Sequence, residues 1–456
     1  MSDSAKKYAK FIFRWAIAVA GTWYVLSQLH WHDRVLAIVD SSNVPQWASV
    51  VQGDENSPTL VVRRWDDDHY QKIDRGMIVS EPDRKNMTVL VSGHPAKVLG
   101  VDLLNRDHAN RLLVQQDGHA PTWVPAWQTD YQVTIPHSRI QVGVERLVAS
   151  ARQSYLWLAI ALYPLNFLIT TFRWRELLKA LDIHLPVKQT FVLNMVGAFY
   201  NTFMLGSTGG DVVKAYYVAK QTHHRTRAVM SVIVDRAIGL YALIILGGAM
   251  AALAAVYWHI SQARNVAWAS LAILCGTAVV LTLLYHEDLH HRSGLGWIMA
   301  RLPMQAQVNK ALEAMHLYRQ QPALVMAALI ASFPVHCIIV ITSMCAGTAF
   351  GLHIPLYFYW TVVPVAVLVG SIPISPQGAG VMEYFAIVML APLGCTVAEA
   401  VALTMSIRLL QIMWNLTGSV FIFAGGYHSP TVKEERQVEA EDEDQSNDQD
   451  RSLANV

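Results

Sequence analysis

The sequence predicts an all-α polytopic membrane protein with roughly seven to nine membrane helices, two of the elements re-entrant or broken, plus a small β-rich extracytoplasmic domain. Three observations predict it. Of the 456 residues, 53% are hydrophobic and only 15% are charged, with a mean hydropathy of +0.28; that composition fits a polytopic membrane chain better than a soluble multidomain one. Apolar stretches of spanning length recur from residue 155 onward. Before them, residues 31–145 alternate apolar and polar side chains, which is the period of half-buried strands.

The elements follow in order. Residues 1–30 read as an N-terminal anchor helix: Lys6, Lys7, Lys10 and Arg14 mark its start, and 11–29 is apolar. His30-Trp31-His32-Asp33 follows it and offers no small-residue cleavage site, so the segment reads as uncleaved. Residues 31–150 form the extracytoplasmic β-rich domain. Its strand signals include Thr59-Leu60-Val61-Val62-Arg63, Met87-Thr88-Val89-Leu90-Val91 and Tyr131-Gln132-Val133-Thr134-Ile135, with turns at Ser92-Gly93 and Asp117-Gly118. Residues 151–426 form the helical membrane domain, with apolar segments at 155–172, 187–205, 228–257, 267–285, 323–350, 356–372, 381–393 and 398–424. Residues 427–456 carry Glu441-Asp442-Glu443-Asp444 and no apolar periodicity, and read as a disordered acidic tail.

Lys and Arg in short loops set the orientation. Arg173, Arg175, Lys179 and Lys188 read as one basic loop. Lys214, Lys220, Arg225 and Arg227 read as a second, and Arg292, Arg301, Lys310 and Arg319 as a third. All fall on one side if 187–205 dips in and returns. With the N-terminal lysines, that side is the cytoplasm.

Two glycine-rich interruptions stand out. Leu205-Gly206-Ser207-Thr208-Gly209-Gly210-Asp211 separates two apolar stretches, and Pro373-Ile374-Ser375-Pro376-Gln377-Gly378-Ala379-Gly380 does so in the other half. Glycine lowers the cost of breaking a helix, and freed backbone groups at membrane depth need protein or water partners. A helix starting near Ser207, Thr208, Gly209, Gly210 and Asp211 offers amides to an N-cap or to a phosphate, with Lys214 one turn on. Asp235 and Arg236 lie inside an apolar segment, Glu383 follows the second interruption, and Arg408 lies in the last segment. A charge at the centre of a membrane helix costs on the order of 3 kcal/mol, so these side chains must face protein or water. Two uses are open. Asp211 or Glu383 pairs internally with Arg236 or Arg408, or the arginines grip a phosphate while the carboxylates hold them or bind a coupling ion or proton.

Other motifs carry less. His286-Glu287-Asp288-Leu289-His290 matches H-E-x-x-H but lacks a third ligand pattern, and reads as an interfacial loop. Asp66-Asp67-Asp68-His69 reads as a solvated turn. Cys275, Cys337, Cys345 and Cys395 form no C-x-x-C pair and read as small apolar residues. No ATP-binding or dinucleotide fingerprint is present, and the net charge of +1 gives no case for nucleic acid. No metal, cofactor or catalytic residue is assigned.

The runs 206–217 (Gly206-Ser207-Thr208-Gly209-Gly210-Asp211-Val212-Val213-Lys214-Ala215-Tyr216-Tyr217) and 228–240, around Asp235-Arg236, resemble the flippase-like membrane domain of lysylphosphatidylglycerol synthases. Residues 373–383, ending in Val381-Met382-Glu383, resemble its second hallmark. Leu205 departs from the proline often found there. The β-rich insertion resembles an arrangement of planctomycete members. The resemblance implies a multi-pass protein of a bacterial inner membrane that translocates a phospholipid or lipid-linked headgroup, with a lipid-linked glycan open as partner. Ser207, Thr208, Gly209, Gly210, Asp211, Lys214, Asp235, Arg236, Gln377, Glu383 and Arg408 would form the binding site near the bilayer midplane. Synthase activity does not transfer, because the chain has no room for the soluble domain that carries it. Two rival functions are a transferase acting on a lipid carrier, and a non-catalytic envelope assembly protein with the β-rich domain as its binding module.

Overall fold

The computed structural model describes residues 23, 27, 30–39, 43–53, 57–64, 70–82, 86–105, 108–116, 118–132, 140–203, 209–222, 225–257, 261–285, 318, 320–352, 354–371, 378–425 and 427. The anchor at 11–29, apart from Trp23 and Ser27, lies outside them, as do 65–69, 286–317 and the tail from 428.

Alternation becomes two antiparallel sheets. The first runs β10 (Ile140–Gln141), β1 (Arg34–Ile38), β2 (Pro45–Gln52), β3 (Thr59–Arg64), β4 (Tyr70–Asp74), with β5 (Ile78–Val79) also on β1. The second runs β6 (Thr88–Val91), β7 (His94–Asn105), β8 (His108–Gln115), β9 (Thr122–Pro125). Leu60 and Val62 point into the first core with Val35, Ala48 and Ile73; Val89 joins Val98, Leu112 and Val114 in the second. Ser92 and Gly93 sit at φ 51° and 83°. Positive φ at both central residues is the turn that matches strand twist. The strand expected at 131–135 does not form at Tyr131 and Gln132. Tyr131 instead fills the second core as an irregular segment, and 133–139 lie outside the described residues.

From residue 144 the described elements are helical: α1 (Val144–Ala149), α2 (Gln153–Leu162), α3 (Leu165–Lys179), α4 (Val187–Phe203), α5 (Gly209–Ala219), α6 (Arg225–Tyr257), α7 (Ser261–Tyr285), α8 (Pro322–Ala349), α9 (Leu356–Ser371), α10 (Val381–Leu390), α11 (Val397–Leu416) and α12 (Gly418–Gly425). Among the described residues, four stretches are long and apolar enough to cross a membrane: Gln153–Lys179, Arg227–Tyr257, Pro322–Ala349 and Val397–Gly425.

The first of these bends at Pro164. Proline has no N–H to give the carbonyl of Ile160 four residues back. That carbonyl accepts instead from the indole Nε1 of Trp414 on α11, at 3.0 Å. One broken bond thereby ties the first helical segment to the last. Freed carbonyls in apolar surroundings need such a donor.

Two helix pairs fold back on themselves. α4 and α5 pack along each other, as do α9 and α10. In the first pair the close approach needs glycine: a methyl on Gly210 would lie 1.7 Å from the Gly197 carbonyl oxygen. In the second, Gly378 takes φ +68° and lies against the Gly370 backbone. The connecting tips, 204–208 and 372–377, lie outside the described residues.

The sheets are fastened to the helices through α1. Asp33 accepts from the Gly143 N–H and from Arg146 Nη1, both at 2.7 Å. The Val144 and Glu145 amides donate to the carbonyls of His30 and Trp31. Leu147 then buries itself among Phe358, Met389 and Leu403 of the helical core.

A charge-paired candidate site at the junction of two hairpins

Asp235 and Arg236 are neighbours on α6, so about 100° of helix rotation separates them and they face different partners. Asp235 faces α3, where its Oδ1 accepts from Arg173 Nε at 2.8 Å. Arg173 Nη1 also donates to Ser332 Oγ on α8 at 2.7 Å. Arg236 faces the hairpins. It pairs with Asp211 at the start of α5, and its Nη2 lies 3.5 Å from the Ser371 carbonyl at the end of α9. One guanidinium thus touches the tip ends of both hairpins.

The third pair belongs to the second hairpin. Glu383, in the first turn of α10, accepts from the Gly380 N–H at 2.8 Å and lies 2.7 Å from Arg408 Nη2 on α11. The Arg408 contact is ionic and poorly angled for a hydrogen bond, and Arg408 Nε has no hydrogen-bond partner among the described residues. A buried donor left open marks a place that a water or an anion fills.

Exposure separates the three pairs. The side chains of Arg173 and Asp235 are 6% and 10% exposed, those of Arg408 and Glu383 11% and 1%, and those of Arg236 and Asp211 27% and 21%. Burying the Arg173–Asp235 pair this deeply removes it from ligand exchange, because breaking it leaves an uncompensated charge, whereas Arg408 keeps an Nε with no partner among the described residues. Arg236 and Asp211 are the pair a solute can reach.

Two expected binding residues have other work. The Lys214 ammonium sits 4.0 Å over the Trp174 ring and donates to Asn194 Oδ1 at 3.2 Å. It faces α3 and α4 and is buried. The Gly210 amide donates to Asn201 Oδ1 at 2.8 Å, which takes one donor from any anion cradle there. Gly209 is buried beside it. Ser207, Thr208 and Gln377 lie outside the described residues.

Arg173 corrects the sequence reading. It stands in α3 and pairs at depth with Asp235, not in a basic loop; Arg175 and Lys179 also lie within α3. The signal was the need of Asp235 for a cation, met by the basic residue closest to the preceding apolar stretch.

A family model described as "Lysylphosphatidylglycerol synthase TM region" matches residues 141–418. The chain is also similar to a protein described as a UPF0104 membrane protein, from Methanothermobacter thermautotrophicus. The two are 23% identical over 312 residues, which is 64% of this chain and 90% of the relative.

Proposed function

The chain belongs to the family of the lysylphosphatidylglycerol synthase TM region, and from that premise we propose that it carries a polar phospholipid or lipid-linked headgroup across the bilayer. The observation that carries this reading is the position of Arg236. It is the most accessible cation of the three pairs, and it contacts Asp211 of one hairpin and Ser371 of the other.

In this reading the headgroup phosphate exchanges with Asp211 on the Arg236 guanidinium, which suits bidentate anion binding. Arg408 offers the second contact through its open Nε. The Arg173–Asp235 pair and Lys214 hold the surrounding helices and do not touch the headgroup. The run 237–257 carries no charge and is ~31 Å long at 1.5 Å per residue, enough to cross the hydrocarbon. In this reading the two hairpin tips meet at Arg236 within the bilayer. The α4–α5 hairpin enters from the cytoplasmic face and α9–α10 from the opposite face, and the β-rich domain lies outside.

The test is a headgroup-accessibility assay on liposomes containing the purified protein and a labelled phospholipid. Faster loss of the inner-leaflet label than in protein-free liposomes supports the reading, and Arg236→Ala abolishes the gain. A parental rate in Arg236→Ala removes that residue from the mechanism. Release of a new lipid product from a labelled donor would place the chain among transferases instead.

A further inference from the structure

We infer that the groove between α6 and α7 binds one acyl chain of an anionic phospholipid, with the lipid phosphate on Arg264. The groove encloses about 550 Å³ and is walled by Ile245, Ala249 and Val256 of α6 and by Trp268, Leu271 and Leu274 of α7. It shares no residue with the Arg236 junction and does not rest on the translocation reading.

Its floor is set by helix contact. A methyl on Gly248 would lie 2.6 Å from Ser270 Cβ, so the two helices touch there and part on either side of small side chains. The interior is hydrocarbon in character, and Arg264 is the charged residue among those that line it. Below Arg264 and Trp268 the lining carries one polar side chain, Ser270, at the helix contact.

Depth selects the occupant. Arg264 stands in the first turn of α7, and Tyr257 and Trp268 beside that end are 71% and 65% exposed. Exposed amphipathic aromatics with a cation mark the headgroup level of a membrane protein. From there the lining runs down α6 from Val256 to Ile245 and down α7 from Arg264 to Leu274. Each path is ~15 Å at 1.5 Å per residue, half of a hydrocarbon core of about 30 Å. The groove thus begins at the headgroups and ends at the midplane, which is the reach of one acyl chain in one leaflet. A helix from a second copy of the chain would need a groove open across the whole span. The fixed positive charge at the headgroup end favours a lipid with net negative charge.

The test uses the full chain in phosphatidylethanolamine vesicles doped with phosphatidylglycerol that carries a photoactivatable group midway along one acyl chain. Labelled peptides are mapped by mass spectrometry. Label is expected to concentrate on 245–256 and 264–274. Ala252→Trp fills the groove from an exposed position and should cut that label several-fold, with label on 322–349 unchanged. Arg264→Glu, a surface change that leaves the helix contact intact, should cut phosphatidylglycerol labelling several-fold and leave labelling by the matching phosphatidylcholine probe nearly as it was. Label spread evenly over all lipid-facing helices overturns the assignment, and so does undiminished groove label in both variants.

Discussion

At the residue scale the buried pairs decide both stability and access. Asp235→Ala leaves Arg173 charged, buried and short of its main acceptor. Breaking a buried pair from one side costs about 3–5 kcal/mol, so this variant should unfold at a clearly lower temperature in detergent. The double change Arg173→Met, Asp235→Leu should recover part of the loss, because a matched apolar replacement leaves no stranded charge. Gly210→Ala is the second case. The new methyl meets the Gly197 carbonyl oxygen, and overpacking of this kind costs about 1–3 kcal/mol. Reduced thermal stability with the hairpin intact elsewhere is the expected result, read by scanning fluorimetry. The opposing charges of Asp211 and Arg236, and of Glu383 and Arg408, were legible as candidates, since each lone charge in an apolar run demands a partner. Their pairing was left between alternatives, because sequence does not say which face of a helix meets which neighbour. Arg173 was missed for a physical reason as well: a basic cluster at a segment end looks the same whether its first member turns inward or outward.

At the element scale the apolar segments were easier to read than their bends. The predicted run at 228–257 became a helix at Arg225–Tyr257, and 356–372 became Leu356–Ser371. Period and hydropathy fix such elements, while a tip depends on long-range packing. The Pro164 bend shows what a local rule can supply. Proline frees the Ile160 carbonyl, but the donor that answers it, Trp414, stands 254 residues away. Trp414→Phe keeps most of the ring and removes the donor. It should cost about 1–3 kcal/mol, the penalty of an unmade bond at a part-buried carbonyl, and loosen α2 against α11 in hydrogen exchange. Alternation in the β region was equally legible at Thr59–Arg64. It failed at Tyr131, whose aromatic side chain enters the core without a strand around it.

At the scale of the whole molecule, the sheets and the helices meet through a short seam. His30 lies in it, giving its carbonyl to the Val144 amide at 3.0 Å. Burial and then the nearby Arg34 guanidinium lower its imidazole pKa from 6.5 to about 4. The folded seam therefore binds fewer protons than the open one. Its contribution is present above pH 6.5 and is lost as the pH falls from there toward about 4. Amide exchange across 142–152 should speed up over that range, and His30→Gln should flatten the dependence.

The central claim joins the two hairpins at Arg236, and the proposed function takes Arg408 as the second contact. The most direct measurement is the rate of headgroup translocation in liposomes holding the parent, Arg236→Ala, Arg408→Ala or the double variant. Residues that act as one unit lose function together, so the double variant should be no slower than Arg236→Ala alone. A parent no faster than protein-free liposomes, or an Arg236→Ala variant at the parental rate, would contradict the account.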